Sequence, residues 1–281
     1  MKLRVIILCL LTGMLLPTAQ AQIIFEDTLE TVTGSISDIT DELLPGITNI
    51  RVGVGPAVSP DYEGDNNYDI GVAPLISFHY RDLILVDNNQ IRVNILGSDS
   101  LIESEKFKAG PSLRIDFGRK ESNSVDLTGL GDIGTSVLLG GFVSYQEGPT
   151  RARIRVRQDV ASGHNGLEII GDFRILFYKS EKTAIITTIK GTWVNETYMD
   201  TLFGVTPFQS TQSGLAAFDS GSGFKDVSVN FTTSYLLNDK WSFVANVGYK
   251  QLLGDAKDSP LVRLRGDKDQ FVGAAFAIYT W

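Results

Sequence analysis

From Asn49 to the last residue, apolar and polar side chains alternate with a period of two, the mark of strands whose faces meet different surroundings. Lys240 to Lys250 is the clearest stretch. Trp241, Phe243, Ala245, Val247 and Tyr249 share one face, Ser242, Asn246 and Gly248 share the other with both lysines, and Val244 alone breaks the pattern. In Gly166 to Tyr178, Leu167, Ile169, Phe173, Ile175 and Phe177 oppose Glu168, Asp172 and Arg174. In Phe107 to Gly118, Phe107, Leu113, Ile115 and Phe117 oppose Lys108, Arg114 and Asp116. Thr150 to Val160 is extreme: Arg151, Arg153, Arg155, Arg157 and Asp159 lie opposite Ala152, Ile154, Val156 and Val160.

The pattern predicts strands near 49–58, 68–80, 82–87, 89–96, 107–118, 134–146, 150–160, 166–178, 182–194, 224–237, 240–252 and 270–281, twelve in all. A soluble sandwich would also turn one strand face to water. Most of these strands, however, are about twice the usual five or six residues. Trp241 and Tyr249 bracket an apolar face roughly 26 Å long at about 3.3 Å per residue. That is near the ~25 Å apolar band with aromatic girdles of an outer-membrane barrel. The turns at 147–149, 179–181 and 238–239 are tight, while 119–133, 195–223 and 253–269 are long. Barrels of this kind have short periplasmic turns and long external loops. The expected fold is therefore an all-β, antiparallel, twelve-stranded outer-membrane barrel over 49–281 with both termini periplasmic. The first half fits less regularly, because 97–106 must then be a longish periplasmic turn. Tyr279 and Trp281 close the last strand, an aromatic ending of the kind that barrel-assembly machinery recognises. Such a barrel would be embedded in outer-membrane lipid and lipopolysaccharide.

Before residue 49 the pattern changes. Lys2 and Arg4, an apolar run from Val5 to Leu16, and Ala19-Gln20-Ala21 read as a secretory signal peptide over 1–21. Phe25, Leu29, Val32, Ile36, Ile39 and Leu43 then recur at helical spacing among Glu26, Asp27, Glu30, Asp38, Asp41 and Glu42. This acidic amphipathic segment, 22–48, is either a plug against a basic inner wall or a solvated periplasmic arm.

The whole chain of 281 residues carries a formal net charge of −8, and losing Lys2 and Arg4 makes the exported protein −10. An acidic chain lacks the basic face a general nucleic-acid binder needs. The single cysteine, Cys9, lies in the leader, so an exported chain without disulfides draws its stability from the fold. With two histidines, His79 and His164, no zinc site of His and Cys is expected, and no phosphate-binding loop occurs. No cofactor is predicted.

Three candidate sites follow. Arg151, Arg153, Arg155 and Arg157 would either line an anion-selective lumen or form internal ion pairs with Glu168 and Asp172; the second is the reading adopted. Asp159, Ser162 and His164 are the residue types of a rim hydrolase, but a polar, glycine-rich loop contains them anyway, and a triad is defined by geometry. No catalytic residue is assigned. Trp241 and Tyr249 are the girdle candidates.

Particular strings then point to a family. VGPAVSPDYEG (54–64), GPSLRIDFGR (110–119), GLGD (129–132), GHNG (163–166), YMDTLFGVTP (198–207), SGL (213–215), Lys225-Asp226 and LGDAKDSP (253–260) resemble the MipA/OmpV family of outer-membrane proteins, in the family's order. The motif residues include Tyr198, Met199, Asp200, Phe203, Gly204, Pro207, Gly254, Asp255, Asp258 and Pro260. The resemblance implies a non-enzymatic barrel that serves as a scaffold joining a lytic transglycosylase to a penicillin-binding protein. Other members are described as porin-like, so a small-solute channel is the alternative. The motifs fall in the expected external loops, away from a periplasmic partner. Either they pack the barrel mouth or the role extends outside the cell.

Overall fold

The computed structural model describes residues 48–281. The expected signal peptide, 1–21, and the acidic segment expected over 22–48, except Thr48, lie outside the described residues. The described strands, all in one sheet, are β1 (Thr48–Pro60), β2 (Tyr68–Tyr80), β3 (Ile84–Asp87), β4 (Gln90–Val93), β5 (Leu96–Gly97), β6 (Ile102–Glu103), β7 (Phe107–Asp116), β8 (Ser136–Glu147), β9 (Thr150–Asp159), β10 (Leu167–Lys179), β11 (Thr183–Val194), β12 (Gly223–Leu236), β13 (Trp241–Leu252) and β14 (Asp269–Thr280).

Twelve of them close into an antiparallel ring. Neighbours in sequence pair from β1 to β4 and from β7 to β14, β1 pairs with β14, and β4 pairs with β7 through Gln90–Arg114, Ile91–Leu113 and Arg92–Ser112. Closure leaves the ring without a free edge, the condition for crossing a bilayer with strands. β5 and β6 are a parallel two-residue pair hung beside β7. The irregular first half has a simple cause. β3 and β4 are four residues each, shorter than 82–87 and 89–96, and the chain turns back at Asn88 and Asn89.

Alternation maps onto inside and outside. On β13, Trp241, Phe243 and Val247 are exposed, while Ser242, Val244 and Asn246 are buried on the inner face. Val244, the exception in the sequence pattern, joins Ala57, Ala73, Leu75, Ala274, Phe276 and Ile278 in an apolar cluster on the inner wall. On β9, Ala152, Ile154 and Val156 face outward and the arginines inward.

The two ends differ. Both ends of the described chain and the turns at 81–83, 148–149, 180–182 and 237–240 lie at one end, together with the 94–106 connection. The connections 61–67, 117–135, 160–166, 195–222 and 253–268 gather at the other. They contain helices at Glu196–Phe203, Pro207–Ser213, Gly254–Asp258 and Pro260–Arg265.

Candidate functional site

The arginine ladder follows from strand geometry, since every second residue of β9 points the same way. Register puts Asp172 beside Arg153, Glu168 beside Arg157, and Arg174 beside Arg151. Arg153 Nε and Arg155 Nη2 donate to Asp172 Oδ1 at 3.0 and 3.1 Å, and Arg151 Nη2 lies 3.6 Å from Asp172 Oδ2. Arg157 Nη1 donates to Glu168 Oε1 at 3.0 Å. Arg157 and Asp172 are 1% and 6% exposed, so each charge is held by its neighbours rather than by bulk water. A second inward cluster sits on β2–β4: Asp87 accepts from Ser77 and Arg92, and lies 3.1 Å from His79 Nε2.

The aromatic candidates lie at two levels. Trp241 packs edge-on against Tyr279, which packs edge-on against Trp281, with centroids 5.1 and 4.5 Å apart at the short-turn end. Tyr249 pairs with Phe271 near the opposite end and donates to Asp269 at 2.6 Å.

The family-motif residues meet at the long-connection end. Tyr198, Met199 and Phe203 pack with Val194, Leu252, Ala256 and Val262, while Tyr62, Leu127, Leu130, Val205, Leu215 and Leu261 form a second cluster. Five connections are laced by hydrogen bonds. Ser259 donates to the Phe203 carbonyl at 2.6 Å, Arg119 to the Leu202 carbonyl at 2.9 Å, and Arg265 to the Asp126 carbonyl at 2.7 Å. The Asp267 amide donates to Gly64 O at 2.9 Å, and Thr201 Oγ1 to His164 O at 3.3 Å.

Individual motif residues have local work. Asn195 caps the Glu196–Phe203 helix by accepting from the Tyr198 amide. Asp200 accepts from the Ser220 amide and Asp255 from the Gly221 amide. Pro207 and Pro260 each open a helix, where a missing N–H costs nothing. Gly204 is obligatory, since a Cβ there would sit 2.2 Å from Asp200 Oδ1. Gly254 takes a left-handed φ of +52° at the first residue of its helix, and Asp258 ends that helix exposed. The motifs are thus the packing of the mouth.

Asp159 and His164 lie in this region but do not form a catalytic relay. Asp159 is engaged by the Val137, Ala161, His164 and Asn165 amides and by Ser136 Oγ. His164 Nδ1 accepts from the Gly166 amide at 2.9 Å, so the neutral ring carries its proton on Nε2. Its ring packs 4.5 Å from that of Tyr198, and burial lowers its pKa below the usual histidine value. Ser162 is part of the turn, with φ +67°, and no Ser162–His164 bond forms among the described residues.

Several residues that hold the mouth carried no periodic signal. Glu63 receives Lys225 Nζ at 2.8 Å and Lys250 Nζ at 3.0 Å, joining three connections or strand ends. Tyr62, buried among Asp65 and Asp126, has its pKa raised chiefly by burial. Burial pushes Arg119 down to about 10, leaving it charged at neutral pH. Lys225 also lies 5.4 Å from the Tyr198 ring centroid.

Known proteins bear on this architecture. A profile of the family described as MltA-interacting protein MipA matches residues 52–281. "Putative outer membrane protein YiaT" of Escherichia coli O157:H7 is 20% identical over 220 residues, covering 76% of this chain and 85% of that protein. Among solved structures, the NanC porin is 9% identical with a TM-score of 0.40, covering 83% of this chain and 98% of that one. OmpT of Vibrio cholerae is 9% identical with a TM-score of 0.38, covering 83% and 97%. OprD of Pseudomonas aeruginosa is 11% identical with a TM-score of 0.33, covering 82% of this chain and 59% of OprD.

Proposed function

Because this chain belongs to the MltA-interacting protein MipA family, we propose that it is an outer-membrane scaffold holding a lytic transglycosylase, together with a penicillin-binding protein, at its periplasmic face. The family's description supplies the first partner; the second comes from the sequence resemblance. In this reading the end with the short turns and both barrel termini is periplasmic, in keeping with the loop asymmetry of outer-membrane barrels.

The observation that carries the reading is the covered mouth. Four connections interlock at one end through two apolar clusters and a fifth is tied to them by the Thr201–His164 hydrogen bond, and a conduit for solutes would have to break that packing. Binding at the opposite end requires no such change. There the 94–106 connection is the most prominent feature: β5 and β6 hold Leu101 and Ile102 out, 75% and 58% exposed, beside Glu103 and Glu105. An apolar pair rimmed by carboxylates suits a protein partner better than lipid.

The test is a cross-linked envelope pull-down with the tagged mature protein and with a Leu101→Asp/Ile102→Asp variant, read by mass spectrometry. Recovery of a lytic transglycosylase or penicillin-binding protein with the first bait, at least tenfold reduced with the second, is the expected result. Recovery of assembly factors alone, with steady anion-selective conductance of the purified protein in planar bilayers, would replace the scaffold with a channel.

A further inference from the structure

The outward face of the barrel is apolar on strand after strand, but it is not level. A groove of about 540 Å³ crosses β7 to β12. Its walls are large side chains of the outer face: Phe107, Tyr145, Ile154, Phe173, Ile189 and Val227 are each 36–53% exposed. The inward-pointing residues between them contribute backbone to the floor.

The groove exists because two side chains are absent. Pairing register sets Val143, Ile154, Gly171, Gly191 and Val227 side by side on β8 to β12, so the two glycines are neighbours between Ile154 and Val227. One row nearer the short turns, Ala152 stands between Tyr145 and Phe173. Neither glycine answers a need of the backbone. A Cβ on Gly171 would meet nothing within 4 Å, and one on Gly191 only Asp226 O at 4.0 Å, whereas Gly55 and Gly140 are imposed by carbonyl oxygens 1.7 and 1.9 Å away. Neither has a positive φ, and no register shift falls at their pairing. A glycine inside a strand weakens it, and with bulge and bend set aside the remaining use is the close approach of something from outside.

What approaches is set by the surroundings. The groove lies in the outward apolar band of an outer-membrane barrel, so hydrocarbon covers it rather than water. Left empty, the trough would deprive its lining atoms of van der Waals partners on one side. Its end at Phe107 and Tyr145, whose ring centroids are 4.9 Å apart, is next to the short turns. There Glu147, on the same outward face as Tyr145, accepts from the Tyr145 hydroxyl and from Lys106 Nζ. Lys106 and Glu147 are both more than half exposed, and together they complement a headgroup that carries a phosphate and an ammonium. We propose that the groove holds one acyl chain of a zwitterionic phospholipid, with its headgroup against Lys106 and Glu147, as a resident ligand that leaves the membrane with the barrel. The choice of phospholipid over lipopolysaccharide rests on the orientation proposed above, in which the short turns face the periplasm.

The test is native mass spectrometry of the mature protein extracted from outer membranes in a mild non-ionic detergent. Three variants are weighed beside it: Gly171→Leu/Gly191→Leu, which fills the groove; Ala245→Leu, which adds bulk to the outward face of β13; and Lys106→Gln/Glu147→Gln, which removes the headgroup contacts. A single phospholipid retained on the parent and on Ala245→Leu, lost from the filled variant and reduced in the headgroup variant, is the expected result. No phospholipid on the parent, equal amounts on parent and filled variant, or loss from Ala245→Leu would overturn the proposal. Lipopolysaccharide in its place would overturn it by reversing the orientation, and a dimer that separates when the groove is filled would make the groove an interface between copies instead. Failure of the envelope pull-down leaves these masses unchanged, so the scaffold and the lipid are tested apart. Should the filled variant not reach the native barrel, the comparison of the parent with Lys106→Gln/Glu147→Gln, an exposed pair that contributes little to stability, decides alone.

Discussion

β9 and β13 are built on the same rule and read differently only on one face. Outward, both are apolar: Ala152, Ile154 and Val156 on β9, Trp241, Phe243, Ala245 and Val247 on β13. Inward, β9 carries four arginines and an aspartate, whereas β13 carries Ser242, Val244, Asn246 and Gly248. The outer face answers to lipid, which all strands share, so it is uniform. The inner face answers to whatever lies across the ring, and there the two regions diverge. Alternation therefore marks the face each strand turns outward, while inner-face chemistry reports what that strand meets inside the ring.

Removing the centre of the arginine ladder on β9 should have the largest effect. Asp172→Ala removes the carboxylate on which Arg151, Arg153 and Arg155 converge, and breaking a buried ion pair in this way costs about 4 kcal/mol. Urea unfolding of the detergent-folded protein, followed by tryptophan fluorescence, measures it. A midpoint unchanged from the parent would mean that the ladder is hydrated.

In the apolar cluster of the inner wall, Leu75→Ala should cost about 3 kcal/mol, the loss of a fully buried side chain plus the cavity it leaves. The same unfolding series tests it. A loss equal to or greater than that of Asp172→Ala would erase the ranking of ladder over cluster.

A smaller effect is expected at the long-connection end, away from both the ladder and the cluster. The His164 pKa is lowered in the folded state below the ordinary histidine value, mainly by burial. Its neutral form is the one the fold accepts. Stability from this group is therefore complete above the unfolded value and is lost as the pH falls toward the folded one. Unfolding midpoints recorded across about pH 5 to 8 should decline at the acid end. The decline should flatten in His164→Gln; an equal slope in both proteins would assign the pH dependence elsewhere.

The smallest effect belongs to the exposed rim. Lys106 and Glu147 pair at 2.7 Å with both side chains more than half exposed, and Glu147→Gln should leave the unfolding midpoint where it was. A clear shift there would show that rim charges count as much as inner ones.

Much of this molecule was legible in one dimension. The positions of the twelve strands, the inward face of Arg151 to Asp159 and the long connections at one end all follow from local spacing. The first half was blurred because β3 and β4 are too short for a period of two to show. The mouth was hidden for a different reason. Tyr62, Leu127, Leu130, Leu215 and Leu261 come from four connections with no shared period, and they become one cluster only after the ring closes. Likewise Glu63 meets Lys225 and Lys250 across more than 160 positions of sequence. Asp159 and His164, close in sequence with the residue types of a relay, were directed instead to backbone amides.

What the sequence determined by itself is the direction of each side chain along a strand, because successive Cβ atoms point to opposite faces whatever the partner. That set the outer band, the inner ladder and the strand count. What only the tertiary structure decided is which inner faces look at each other and which connections meet. Both depend on pairing register and on closure of β1 onto β14 and β4 onto β7, and these are settled by contacts between residues far apart in the chain.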